Sequence, residues 1–119
     1  MSRVLLVDDD PAGLAIRRIV LERKGHQVAI AADVESARAM FQQSPPESVI
    51  LDLRLPELKD GLTLIREFRA AAPGVRLIVL AGWSADLDGR TEAGMVDEIV
   101  PKPSSSQRLV DAVERSQGK

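Results

Sequence analysis

Cysteine is absent from this sequence of 119 residues, so neither a disulfide nor a thiol nucleophile can enter its chemistry. Tyrosine is absent too, and the chain has a single histidine, His26, and a single tryptophan, Trp83. No apolar stretch approaches the roughly 20 residues that span a bilayer. Met1-Ser2-Arg3 leads straight into a short apolar run, without the long apolar core and small-residue cleavage site of an export signal. These absences predict a cytoplasmic chain with no membrane contact. An excess of basic charge is also missing, since the formal net charge is -2. A nucleic-acid-binding domain normally carries a basic patch or stripe, so direct binding to nucleic acid is not expected of this domain. No G-x-G-x-x-G follows the first apolar run, which weighs against a dinucleotide site.

What is present is an ordinary globular composition, 45% hydrophobic and 29% charged, predicting one domain over residues 1–119. Short apolar runs alternate with helical patterns. Strands are expected at 3–7, 27–31, 48–52, 75–80 and, as a short core, 98–100. The first helix starts at Pro11, with Asp10 as its cap. Its apolar side is read as Leu14, Ile16, Ile19, Val20 and Leu21 facing the sheet, with Arg17 and Arg18 solvated, and Gly25 stops it. Asp33 caps a second helix that carries Val34, Ala37, Met40 and Phe41 and ends at Ser44-Pro45-Pro46. Residues 53–61 read as a loop, followed by a helix with Leu62, Ile65 and Phe68. The segment 81–94 has little periodicity, and one short helix is expected around 88–93. A last helix over 106–115 turns Leu109, Val110 and Val113 inward, and 117–119 is expected to fray. Five nearly all-apolar strands with intervening helices predict an α/β doubly wound sheet, buried on both faces.

In such sheets, ligands sit beyond the carboxyl ends of the strands. Asp8 and Asp9 end the run Val4-Leu5-Leu6-Val7, Asp52 ends Val49-Ile50-Leu51, and Lys102 follows Ile99-Val100. Neighbouring strands would gather three carboxylates and one ammonium at one edge. Carboxylates on buried strands need compensation, and Mg2+ is hard, oxygen-seeking and content with one or two of them. Asp52 is then a candidate nucleophile toward a phosphoryl donor, with Lys102 able to reach a phosphate oxygen and Pro103 holding that loop. A small Mg2+-dependent phosphohydrolase is a weaker reading, because no second acid–base residue is evident. His26, after Gly25, reads as a surface turn residue.

The combination Val4-Leu-Leu-Val-Asp-Asp-Asp10, Val49-Ile-Leu-Asp-Leu-Arg-Leu-Pro56 with Asp60-Gly61, and Lys102-Pro103 resembles the receiver domain of bacterial two-component response regulators over essentially the whole chain. The resemblance implies a flavodoxin-like (βα)5 fold with strand order 2-1-3-4-5. It implies that Asp52 accepts a phosphoryl group from a sensor histidine kinase or a histidine phosphotransfer protein. Asp9, Asp52 and the carbonyl of Arg54 would bind Mg2+, Asp8 would act mainly through water, and Lys102 would pair with Asp52 or its phosphate. The module would regulate an output domain outside this chain, or a partner, and would be no turnover enzyme beyond slow loss of its own phosphate. Kinase docking would use the first helix, at its end near Asp52, and the 56–60 loop. Homodimerisation through the fourth helix, fifth strand and last helix is a further family habit.

Two positions depart from the pattern. Ala81 stands where the family has Thr or Ser at the end of the fourth strand, and Ile99 where it has Tyr or Phe three residues before the lysine. The expectation is retained Mg2+ binding and phosphorylation with weak conformational coupling. The competing reading is a pseudo-receiver, a binding or dimerisation module independent of phosphorylation. Trp83, beyond Ala81 and Gly82, either packs against the fourth helix or gates access to Asp52 or contacts a partner. Arg54 either meets solvent alone or places a positive charge near the phosphate.

Overall fold

The computed structural model of the chain describes residues 2–82, 84–102 and 105–115. Five parallel strands form one sheet: β1 (Arg3–Val7), β2 (Gln27–Ala31), β3 (Ser48–Asp52), β4 (Arg76–Ala81) and β5 (Glu98–Pro101), in the order β2-β1-β3-β4-β5. Among the described residues, four α-helices connect and cover them: α1 (Pro11–Arg23), α2 (Val34–Gln43), α3 (Leu58–Ala71) and α4 (Ser106–Arg115). The expected doubly wound fold and strand order are therefore those observed.

The two-residue period of the strands divides the core. Leu5, Val7, Val49, Leu51, Leu77, Val79 and Ala81 face α2 and α3, where Phe41 and Phe68 stack with ring centroids 4.2 Å apart. Val4, Leu6, Ile50, Ile78 and Leu80 face α1 and α4. Asp8 and Asp52 continue the second series, two residues beyond Leu6 and Ile50. The register pairs Val7 with Leu51 and Asp52 with Leu80, so the acidic strand ends lie side by side.

Local chemistry sets the helix ends. Asp10 accepts a hydrogen bond from the Ala12 amide at α1, and Asp33 exchanges bonds with Ser36 at α2. The helix α3 begins within the expected 53–61 loop. Asp60 accepts from the Glu57 amide and closes its first turn. Gly61 breaks nothing there. A side chain at this position would place its Cβ 1.9 Å from the Leu53 carbonyl oxygen, so glycine lets α3 lie directly on the chain that follows Asp52.

Three expectations need correction. The fourth crossover has no α-helix over 88–93; it uses two 3-10 helices, Ser84–Leu87 and Thr91–Met95, separated by Gly89 at φ 74°. Arg69 of α3 holds this segment, donating to the carbonyls of Met95 and Val75 and pairing with Asp97. On α1, Leu14 and Leu21 face the sheet, but Ile16 and Ile19 are 58% and 49% exposed. Stepping three and then four residues from Leu14 reaches Arg17 and Leu21, so an arginine occupies the inward stripe. His26 is buried, not a surface turn residue. Its Nδ1 accepts from the Ser2 amide and its Nε2 lies 3.3 Å from Glu114, because the start of β1 and the end of α4 close over the turn. The tail at 117–119 lies outside the described residues.

Candidate functional site

One carboxylate oxygen from each of Asp8, Asp9 and Asp52 lies within 4.8 Å of the others. Asp8 and Asp52 are buried, and Asp9 is exposed. They open into a cleft of about 430 Å³ that is also lined by Arg17 from α1, Leu109 from α4 and Lys102. The Lys102 amide donates to the Ala81 carbonyl, which continues the β4–β5 ladder and fixes where the lysine leaves β5. From there Nζ reaches Asp52 Oδ2 at 2.7 Å, while the Arg54 amide donates to Oδ1 at 3.2 Å. Asp8 is bound on both oxygens, Oδ1 by the Asp10 amide and Oδ2 by Arg17 Nη1 at 2.6 Å.

Burial pushes the Asp52 carboxyl above the ordinary carboxylate range, and Asp8 adds to this. The Lys102 ammonium and the Arg54 amide oppose burial without overcoming it. Three carboxylates face two cations, leaving a formal negative charge and an environment of oxygen donors. Those are the properties that suit Mg2+, which favours hard oxygen ligands and neutralises buried carboxylates. The residues present fit that ion.

The other expected positions fall around this centre. Ala81 is buried on the α2/α3 face, and Ile99 is half-buried against the same cluster. Gly82 is exposed; Trp83 and Pro103 lie outside the described residues. Arg54 does not meet solvent alone, because its guanidinium makes two hydrogen bonds to Asp86 in the first 3-10 helix. Sequence reading missed Asp86 and Arg17. Nothing in the sequence spacing singles out Asp86. Arg17 carried a legible signal, its place between Leu14 and Leu21 on one helical stripe.

A buried carboxylate held by a lysine and flanked by two further carboxylates, beyond the strands of a doubly wound sheet, defines a phosphoryl-acceptor domain. The chain belongs to the response regulator receiver domain family, whose model matches residues 4–114. It is 38% identical over 110 residues to the alginate biosynthesis transcriptional regulatory protein AlgB of Pseudomonas aeruginosa, covering 91% of this chain and 24% of that protein. Identity is also 38% over 117 residues with the transcriptional regulatory protein AruR of the same organism, covering 92% of this chain and 47% of the relative. The chain thus spans about a quarter to a half of these relatives. Among solved structures, the response regulator TrrA of Thermotoga maritima in complex with Mg(2+)-BeF matches with a TM-score of 0.85 at 27% identity, covering 97% of this chain and 98% of that one. A receiver domain from Clostridium thermocellum matches with a TM-score of 0.86 at 26% identity, covering 98% and 94%.

Family membership and the intact acidic cluster make this a Mg2+-dependent phosphoacceptor, so the phosphorylation-independent pseudo-receiver reading falls. Such a domain is the recipient of the group and is not a turnover enzyme. No helix among the described residues is long and apolar enough to cross a membrane.

Proposed function

We propose that Asp52 is the phosphoacceptor, taking the group from a phosphohistidine of a sensor kinase or a histidine phosphotransfer protein in the cytoplasm. The observation that carries this reading is the contact of Lys102 Nζ with Asp52 Oδ2 at 2.7 Å inside the acidic cluster. An Asp52 oxygen attacks phosphorus, the phosphorus–nitrogen bond breaks, and the leaving imidazole keeps the electron pair and takes a proton. Lys102 shields the carboxylate in the resting state and pairs with a phosphoryl oxygen afterwards. The Arg54 amide holds the second carboxylate oxygen and orients the nucleophile. Asp9, Asp52 and the Arg54 carbonyl would hold Mg2+, with Asp8 acting mainly through water; the ion supplies positive charge to the phosphoryl oxygens. Residues 1–119 act as one receiver unit that controls an output domain or a protein partner. The donor docks on the α1 end beside the cleft and on the 56–60 loop, and exposed Ile16 and Ile19 further along the helix offer apolar contact.

The assignment is tested by treating the protein with Mg2+ and a small phosphoryl donor, reducing the acyl phosphate with borohydride and mapping the product by peptide mass. Homoserine at position 52 is expected. Modification confined to another aspartate would overturn the assignment.

A further inference from the structure

The inward stripe of α1 contains a charge that the phosphoacceptor reading does not use. Arg17 lies between buried Leu14 and Leu21, and its side chain is 20% exposed against 3% for its partner Asp8. Its Nη1 meets Asp8 Oδ2 at 2.6 Å, and Asp8 Oδ1 accepts from the Asp10 amide, so both Asp8 oxygens are engaged. The preceding turn is shaped to allow this contact. A Cβ at Gly13 would lie 3.1 Å from Arg17 Nη1 and 3.2 Å from Asp10 Oδ2. Glycine inside a helix is ordinarily destabilising relative to alanine. Here it leaves the space into which the guanidinium folds back.

Resting on the Mg2+ site described above, we propose that Arg17 is a built-in competitor of the divalent cation, a positioning residue that holds Asp8 and lowers the affinity of the acidic cluster for Mg2+. With Arg17 and Lys102 in place, the three carboxylates retain one net negative charge; without Arg17 they would present two. The influence passes through Asp8, because the Asp52 oxygens are engaged by Lys102 and the Arg54 amide. A divalent ion gains the full use of Asp8 only as the guanidinium gives way. Metal occupancy, and with it readiness for phosphotransfer, is therefore set by an arginine on the helix beside the cleft.

The test is a Mg2+ titration of the whole chain followed by amide NMR, a readout independent of phosphorylation. Arg17→Met is expected to bind Mg2+ about tenfold more tightly than the unmodified protein. Gly13→Leu, which fills the guanidinium's space and favours the helix, should shift affinity in the same direction and carries the test if Arg17→Met does not fold. In an Asp8→Asn background, Arg17→Met should lose its effect. Arg18→Met, which removes an exposed charge paired with Glu22 on the same helix, should stay within about twofold of the unmodified protein. Tighter binding on both routes with loss of the effect in Asp8→Asn supports the proposal. Normal Mg2+ binding by the unmodified protein with no tightening in either variant overturns it alone, as does an effect that persists without Asp8. Failure of all the proteins to bind Mg2+ overturns both the proposal and the metal-site reading.

Discussion

As the proposed phosphoacceptor, Asp52 is asked to do two opposed things, to be buried among apolar strands and to serve as an ionised nucleophile. Lys102 and the Arg54 amide favour the charged form, yet burial dominates and raises the carboxyl pKa. The folded protein therefore holds this proton more tightly than the unfolded chain. Without metal, the Asp52 contribution to stability falls as pH rises from the unfolded value near 3.8 through the raised folded value. Asp52→Asn should remove that decline, melt higher than the parent in chelator at neutral pH, and gain less from added Mg2+. Thermal unfolding across the carboxylate range checks this, and an Asn variant that melts lower at neutral pH would contradict it.

At the scale of the elements, the site depends on helices that lie firmly on the sheet. The α2–α3 contact joins the Phe41–Phe68 stack to an ion pair in which Arg38 makes two hydrogen bonds of 2.7 Å to Glu67. The Arg38 guanidinium holds Glu67 below the usual carboxylate range. This pair therefore stabilises the fold above the unfolded carboxyl value near 4.5, and the contribution disappears as pH falls through the lowered folded value. Both side chains are more than a third exposed, so Glu67→Gln should cost only about 0.2–1 kcal/mol at neutral pH. Urea unfolding should show that loss at neutral pH and none in acid. Much of this layer was legible beforehand. Apolar strand runs, Asp10 and Asp33 as caps, and the Leu109, Val110, Val113 face are local patterns. The start of α3 was not, because Gly61 reads as a helix breaker until the Leu53 carbonyl beneath it is seen. Arg17 and His26 were misplaced for a related reason: their settings come from Asp8, Ser2 and Glu114, at nine, 24 and 88 residues' separation.

For the whole molecule, the question is how far a phosphoryl group on Asp52 is felt. Ala81 has no hydroxyl to offer, and Ile99 packs in the α2/α3 face cluster. A lost hydrogen bond to a charged group is worth roughly 1.5–3 kcal/mol, comparable with the gap between two conformations. Saturation with Mg2+ and beryllofluoride should therefore shift amide resonances around 8–10, 52–54 and 102, with little change through β5 and α4. Restoring the hydroxyl with Ala81→Thr should extend the response. Large shifts across β5 and α4 in the parent chain would contradict weak coupling.

The central claim is that Asp52 is a working phosphoacceptor. Intact mass after incubation with Mg2+ and acetyl phosphate, with rapid quenching, tests it most directly. One added phosphoryl group is expected, absent when Mg2+ is chelated and absent in Asp52→Ala. An unchanged mass in the parent, or the same adduct in Asp52→Ala, would contradict the account.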